Sequence, residues 1–204
     1  SEQSVRTVDL LEKRGAGLNL TIEVRDGIKN HQTKGNPFTL EGKIVRFSDK
    51  IAYIHHDMDD AVRAGILKET DIPAEIGEVI GYTTGERLDH FIHDLITTSY
   101  EKNDIQMSEP VAKAMAQLRR FMFERVYQNR EAKSEEKKAE VLVQTLYDYY
   151  RRHLELLPED FIRLVERGEA RERVVCDYIG AMTDRFAVAR YEDIYIPRYW
   201  CGKE

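Results

Sequence analysis

Apolar side chains recur at three- and four-residue intervals through most of this chain, and no segment holds the two-residue alternation of a half-buried strand. The spacing predicts an all-α fold. A first helix runs from about residue 2 to 13, with Val5, Val8 and Leu11 (or Leu10) on one side, and stops at "RGAGLN". A second spans about 19–31 with Ile22, Val24 and Ile28 apolar, and Gly35 and Pro37 exclude helix from "QTKGNPFT". A third covers about 41–67, a short one follows at "PAEIGEVIG", and another spans about 85–102.

After "NDIQMSEP" the texture changes, which suggests a subdomain boundary near 104–109. Ser108 is placed to cap, and Pro110 to open, a helix whose Val111, Met115, Leu118 and Met122 form one stripe. A long amphipathic helix follows in "SEEKKAEVLVQTLYDYYRRHLELL", with Ser134 as its expected cap; a short one in "PEDFIRLVERG" ends at Gly168. The last helix, "ARERVVCDYIGAMTDRFAVARY", puts Val174, Tyr178, Met182 and Phe186 on one stripe. The chain opens on helical pattern with no lead-in, which suggests a piece of a larger domain.

Composition narrows the class. Over 204 residues, 33% charged and 42% hydrophobic side chains suit a core-forming helical protein and not a disordered one. The net charge of −6 is spread along the chain, so nucleic acid is not an expected partner, although a local basic pocket for phosphates is compatible with it. Cys176 and Cys201 are too few for a zinc cluster; reduced thiols in a cytoplasm are the expectation. No apolar run approaches the roughly 18–20 residues of a membrane span.

The third helix carries the most chemistry. At about 100° per residue, Phe47, Ile51, Ile54, Met58 and Val62 gather on one side, and Arg46, Asp49, Lys50, Tyr53, His56, Asp57 and Asp60 form a polar stripe beside them. A solvated face favours Glu, Lys and Gln, yet no Glu occurs between 42 and 67. Short carboxylates alternate instead with cations and a phenol, as a site for a metal cation and an anionic, hydroxyl-bearing ligand requires. Composition alone leaves both readings open, a solvated face and a ligand face. His90 and His93, one turn apart, could share a metal but lack a visible third ligand, which favours surface or packing roles. His31 suits a helix C-terminus. Asp177 and Asp184 are expected on one helix face, with Arg173 as the natural partner.

"VRFSDKIAYIHHDMDDAVRAGIL" closely resembles the last metal-site motif of the dGTPase-like deoxynucleoside triphosphate triphosphohydrolases of the HD superfamily. The resemblance extends to "EQSVRTVDLL", "GLNLTIEVRDGIKNH", "RLDHFIHDLI" and "VCDYIGAMTDRFA", where "IGAM" replaces the family's usual "IAGM". It implies that residues 1–103 are the C-terminal part of the HD-type domain and 104–204 a phosphohydrolase-associated helical domain. In this family a His, a His-Asp doublet and a later Asp bind the metal. The later Asp precedes an "IAY" segment and matches Asp49, so His56-Asp57 is not the metal doublet. By the same pattern Lys50 looks like a phosphate contact, Tyr53 like a phosphate or sugar contact, and Asp57 like a partner of the deoxyribose 3′-hydroxyl. The implied cofactor is a divalent metal such as Mg2+ or Mn2+, activating water against the α-phosphorus to give a deoxynucleoside and tripolyphosphate. The implied partners are deoxynucleoside triphosphates and further copies of the chain, with no membrane. Only His31 precedes Asp49 among the histidines, so the remaining metal ligands and the catalytic His are expected outside this sequence, and the chain alone is expected to be inactive. The alternatives are a non-catalytic helical module for oligomerisation or nucleotide-dependent regulation, and an HD phosphohydrolase for another phosphate ester.

Overall fold

The structure, a computed structural model, describes residues 1–128 and 130–198, the side chains of 130–134 excepted. Every regular element among them is helical, as the spacing predicts. In chain order these are α1 (Glu2–Arg6), a π-helical turn (Thr7–Leu11), α2 (Glu12–Gly15), α3 (Ile22–Asn30), α4 (Leu40–Arg63), α5 (Ala74–Ile80) and α6 (Thr84–Ser99). Then come α7 (Glu109–Met122), a second π-helical turn (Phe123–Tyr127), α8 (Arg130–Arg152), α9 (Glu159–Glu166), α10 (Arg171–Gly180) and α11 (Asp184–Tyr195), with single 3₁₀ turns at Glu69–Asp71 and Leu154–Leu156. No helix among the described residues is long and apolar enough to cross a membrane.

Caps explain most boundaries. The Thr21, Thr39 and Thr83 hydroxyls accept from the first-turn amides of α3, α4 and α6, and Glu86 closes a reciprocal box by accepting from Thr83 N. Pro110 occupies the first turn of α7, and Ser108 precedes that helix. The Ser108 hydroxyl makes no capping bond; its amide donates instead to Asp94 Oδ2 at 2.9 Å.

The first helix stops where the pattern reading ends it, at Lys13 and Arg14, which take left-handed conformations with φ of 48° and 59°. Two helices differ from that reading. Helix α8 starts at Arg130, ahead of Ser134, so Ser134 lies inside the helix. The single helix expected after residue 170 is two: α10 ends at Gly180, and Thr183 starts α11 by accepting from Phe186 N at 3.3 Å. A local cap overrides the longer stripe here. Val174 and Tyr178 are buried, whereas Phe186 is 41% exposed. Cys176 is an exposed free thiol, and Cys201 lies outside the described residues.

The chain divides into two compact units, each with its own core. One comprises Ser1–Thr7 and Asn19–Arg130. Its core joins Ile51, Ile54 and Met58 of α4, Ile76 and Ile80 of α5, Phe91 of α6, and the predicted α7 stripe of Val111, Met115, Leu118 and Met122. The other comprises Val8–Leu18 and Glu131–Glu204. It buries Leu146 and Tyr150 of α8, Leu164 of α9, and Val174, Val175 and Tyr178 of α10, with Tyr178 meeting Tyr150 and Phe161 edge-on at 5.0 and 5.2 Å.

Candidate functional site

Helix α4 presents Asp49, Tyr53 and Asp57 at four-residue intervals, one above the other. Across from it, α7 and the π-helical turn carry Arg119, Phe123 and Tyr127 at the same interval. One extra residue per turn shifts which side chains face a neighbour, and such turns recur at ligand sites. Apart from Asp57, the two rows line two clefts that share Tyr53 and Arg119.

The first cleft, about 470 Å³, is walled by Asp49, Lys50 and Tyr53 of α4, Arg119 of α7, and residues 31–34 of the loop after α3. The loop is held in place. Arg46 donates from Nε to Gln32 O (3.3 Å) and from Nη2 to Thr33 O (2.7 Å). Asp26 accepts from Asn30 Nδ2 at 2.6 Å and from Phe38 N at 2.9 Å. Any β-carbon at Gly35 would lie 2.2 Å from Asn30 O, so only glycine lets the loop fold back this closely. Lys34, Lys50 and Arg119 make the cleft strongly basic beside the single carboxylate of Asp49. Burial, then the charges of Arg46 and Arg119, hold the Lys50 ammonium below the usual lysine range, so an anion entering here relieves repulsion already present. Lys50 Nζ also lies 5.6 Å from the Phe47 ring centre.

The second cleft, about 590 Å³, is mainly apolar and aromatic, with Ile54, Ala116, Met122, Phe123 and Tyr127 among its walls. Phe123 and Tyr127 meet edge-on at 6.4 Å. The Tyr127 hydroxyl donates to Asp57 Oδ2. Burial, then Asp57 and Tyr53, push that phenol far above its ordinary range, so it stays a neutral donor at any physiological pH.

The "HHD" run separates into three environments. His56 is exposed and Asp57 half-buried. His55, which the pattern reading did not single out, is buried: its Nδ1 lies 2.6 Å from Ile51 O, its ring sits edge-on to Phe91 at 5.9 Å, and its Nε2 has no hydrogen-bond partner. The carbonyl requires Nδ1–H, which leaves Nε2 bare in the neutral ring. Burial first, with Arg87 adding repulsion, lowers the His55 pKa. A buried histidine held neutral destabilises the fold as pH falls below its free-chain value of 6.5, because the unfolded chain then binds the proton more readily. Urea titrations at pH 7.5 and 5.5 should therefore show wild type losing more stability than His55→Met, by up to about 1.4 kcal/mol per pH unit below that value. Equal losses would place the acid sensitivity elsewhere.

Arg87, also fully buried, donates to Tyr82 O at 2.5 Å and to Thr84 Oγ1 at 3.0 Å and so braces the turn entering α6. His90 Nδ1 lies 2.8 Å from Glu86 O, and His93 Nδ1 lies 3.0 Å from Asp89 Oδ1. Both are spent on their own helix surface. Asp177 is buried with Arg173 Nε at 3.5 Å, but Asp184 opens a different helix, so the two aspartates share no helix face. His31 stands at the end of α3 with Nδ1 2.7 Å from Ile28 O and lines the basic cleft.

No three His, Cys, Asp or Glu side chains among the described residues converge closely enough to hold a metal ion. Asp49 offers one hard oxygen ligand, and His31 is the other conventional ligand type on the same cleft. Such a donor set does not fit a divalent metal site by itself.

Residues 105–193 match the phosphohydrolase-associated domain family. A deoxyguanosinetriphosphate triphosphohydrolase-like protein of Caldanaerobacter subterraneus subsp. tengcongensis is 46% identical over 200 residues, which cover 98% of this chain and 59% of that protein. Nearly the whole chain is similar to the C-terminal part of deoxyguanosinetriphosphate triphosphohydrolase-like proteins. Its likeness to a family protein of Clostridium perfringens strain 13 is 40% over 98% of the chain and 60% of the relative. To one of Bordetella pertussis it is 29% over 95% and 63%. The chain thus spans about three-fifths of the length of these family members and corresponds to their C-terminal part.

Proposed function

We propose that this chain is the triphosphate- and sugar-binding wall of a metal-dependent deoxynucleoside triphosphate triphosphohydrolase, whose net reaction turns a dNTP and water into a deoxynucleoside and tripolyphosphate. One observation carries the reading: Asp49, Lys50, Tyr53 and Arg119 wall a single basic cleft that continues, through Tyr53 and Arg119, into an aromatic one beside Asp57. Lys50 and Arg119 offset triphosphate charge, Arg119 with the fork geometry that suits phosphate oxygens. Tyr53 stands where phosphate passes into sugar. Asp57 accepts from the 3′-hydroxyl while Tyr127 donates to the same carboxylate and keeps it oriented. Asp49 is the metal ligand of this wall, and the rest of the metal's ligands come from polypeptide beyond the described residues. Residues 1–103 then belong to the hydrolase domain and 104–204 to its associated domain, in an oligomeric, cytoplasmic enzyme.

Calorimetry of the 204-residue chain tests the binding half. Inorganic tripolyphosphate should bind, a dNTP should bind more tightly, and the 2′,3′-dideoxy analogue should fall back towards tripolyphosphate. In Asp57→Ala the dNTP and its dideoxy analogue should bind alike. Equal binding of the two by wild type would remove Asp57 from the sugar site. Release of tripolyphosphate by the purified chain with Mn2+ or Mg2+ and a dNTP mixture would refute the claim that its metal site is incomplete.

A further inference from the structure

The second unit has a cavity of its own, a groove of about 800 Å³ between α8 and α10. Ala139, Val143 and Tyr147 wall it on one side, and Cys176, Ile179 and Gly180 on the other. Val143 is 47% exposed and Val141 near it 59%. A β-carbon built at Gly180 meets no atom within 4 Å, so the groove is open there. Cys176 adds an exposed free thiol to this mainly aliphatic lining.

We propose that the last residues of this chain fill the α8–α10 groove, and that a disulfide oxidant locks them there by joining Cys201 to Cys176. Residues 199–204 lie outside the described residues and begin with Tyr199, Trp200 and Cys201. Reach selects them first. The end of α11 is anchored on α8, where the Tyr195 hydroxyl donates to Thr145 O at 3.4 Å and its ring meets Tyr149 edge-on at 6.1 Å. Thr145 adjoins Gln144 of the groove lining. A helix with its side chains is about 10–12 Å across, and the extended backbone from Tyr195 to Cys201 spans up to about 20 Å. Chemistry selects them next. Tyr199 and Trp200 bring large rings to an aliphatic groove at small cost in rotamer freedom, and Lys203 complements Glu140, the carboxylate of the lining. Lastly, Cys176 and Cys201 are the two cysteines of the sequence, and one of them already lines the groove. The oxidant is a small-molecule disulfide such as glutathione disulfide. The Cys176 thiolate attacks one of its sulfurs and releases a first glutathione; the Cys201 thiolate then attacks the Cys176 sulfur of the mixed disulfide and releases the second. The two protein thiols give up their protons, and the electron pairs and protons leave with the two glutathiones. In a reducing compartment such a bridge is transient and redox-sensing, so oxidation closes the latch and glutathione reopens it.

Trp200 is the one tryptophan of the sequence and reports its own seat. In the reduced 204-residue chain its emission should be blue-shifted, and its quenching by acrylamide much weaker, than in the urea-unfolded chain. Val143→Glu charges the groove and Gly180→Phe fills it. Each, checked for unchanged helicity, should return both readings to those of an exposed indole. Glutathione disulfide should convert the wild type into a monomer with a single Cys176–Cys201 bridge, found by peptide mapping and reversed by dithiothreitol. The bridge should form roughly tenfold faster than in either variant, because docking raises the effective concentration of one thiol at the other. An exposed indole in reduced wild type, emission unmoved by both groove variants, or a disulfide-linked dimer would each overturn the docking. A blue-shifted Trp200 with glutathione left on both thiols and no bridge keeps the docking and overturns the latch.

Discussion

Arg119→Ala should weaken tripolyphosphate binding by about ten- to a hundredfold, the loss of about 1.5–3 kcal/mol that accompanies removal of a charge-assisted hydrogen bond. Arg119 is shared by both clefts and stands close enough to Lys50 to lower that lysine's pKa. Removing it therefore has two opposed consequences: a donor fork to phosphate is lost, and repulsion on Lys50 is eased. Lys50 is positive at neutral pH either way, so the lost donors dominate. Arg119→Lys keeps the charge but not the fork and should fall between wild type and alanine. Lys138→Ala, which removes an exposed cation paired with Glu135, controls for net charge and should change little. Calorimetry at two salt concentrations gives the decisive comparison, since binding to the cleft should weaken with salt less steeply in Arg119→Ala than in wild type. Equal affinities for wild type and Arg119→Ala would remove the basic cleft as the triphosphate site.

Arg119 also marks how far the residues of this site can be read along the chain. Asp49, Lys50, Tyr53 and Asp57 are adjacent on one helix, so their helical phase alone groups them. Arg119 and Tyr127 lie on a helix and π-helical turn some seventy residues later (|i−j| = 70 for Tyr127 and Asp57), and no local period links them to α4. The available signal was weak: Arg119, Phe123 and Tyr127 repeat at four residues next to an apolar stripe spaced at three and four. His55 was concealed differently. Its sequence neighbours His56 and Asp57 drew attention to the polar stripe, yet its helical phase, about 40° from Ile51 and about 20° from Val62, sets it at the edge of the apolar one, and its packing against Phe91 agrees. All-helical architecture was legible because amphipathic period and caps agree over long stretches. The break at Thr183 was not, because it is a local backbone choice that leaves the apolar spacing intact.

Phe91→Ala should cost about 3–5 kcal/mol, the largest effect expected of any single core change considered. The ring is fully buried, belongs to the cluster formed by α4, α5 and α7, and is the edge-on neighbour of His55. Alanine leaves a cavity between helices whose backbones cannot close on it, and it also exposes the unpartnered Nε2 of His55 to whatever enters that space. Water entering the cavity would solvate that nitrogen and weaken the burial that depresses its pKa, so the variant should lose stability and acid sensitivity together. Phe91→Leu retains most of the volume and should cost roughly half as much or less. Urea unfolding at pH 7.5 measures the first effect, and the difference between pH 7.5 and 5.5 the second. A Phe91→Ala chain that is destabilised but keeps the full wild-type pH dependence would show that His55 is shielded by α4 and Arg87 without help from the ring. Because His55 lies between Ile54 of the core and the Asp57 carboxylate on a single helix turn, that loosening should reach the sugar-side contact. Affinity for a dNTP should then fall further than affinity for tripolyphosphate, whose proposed place is two turns earlier beside Asp49 and Lys50.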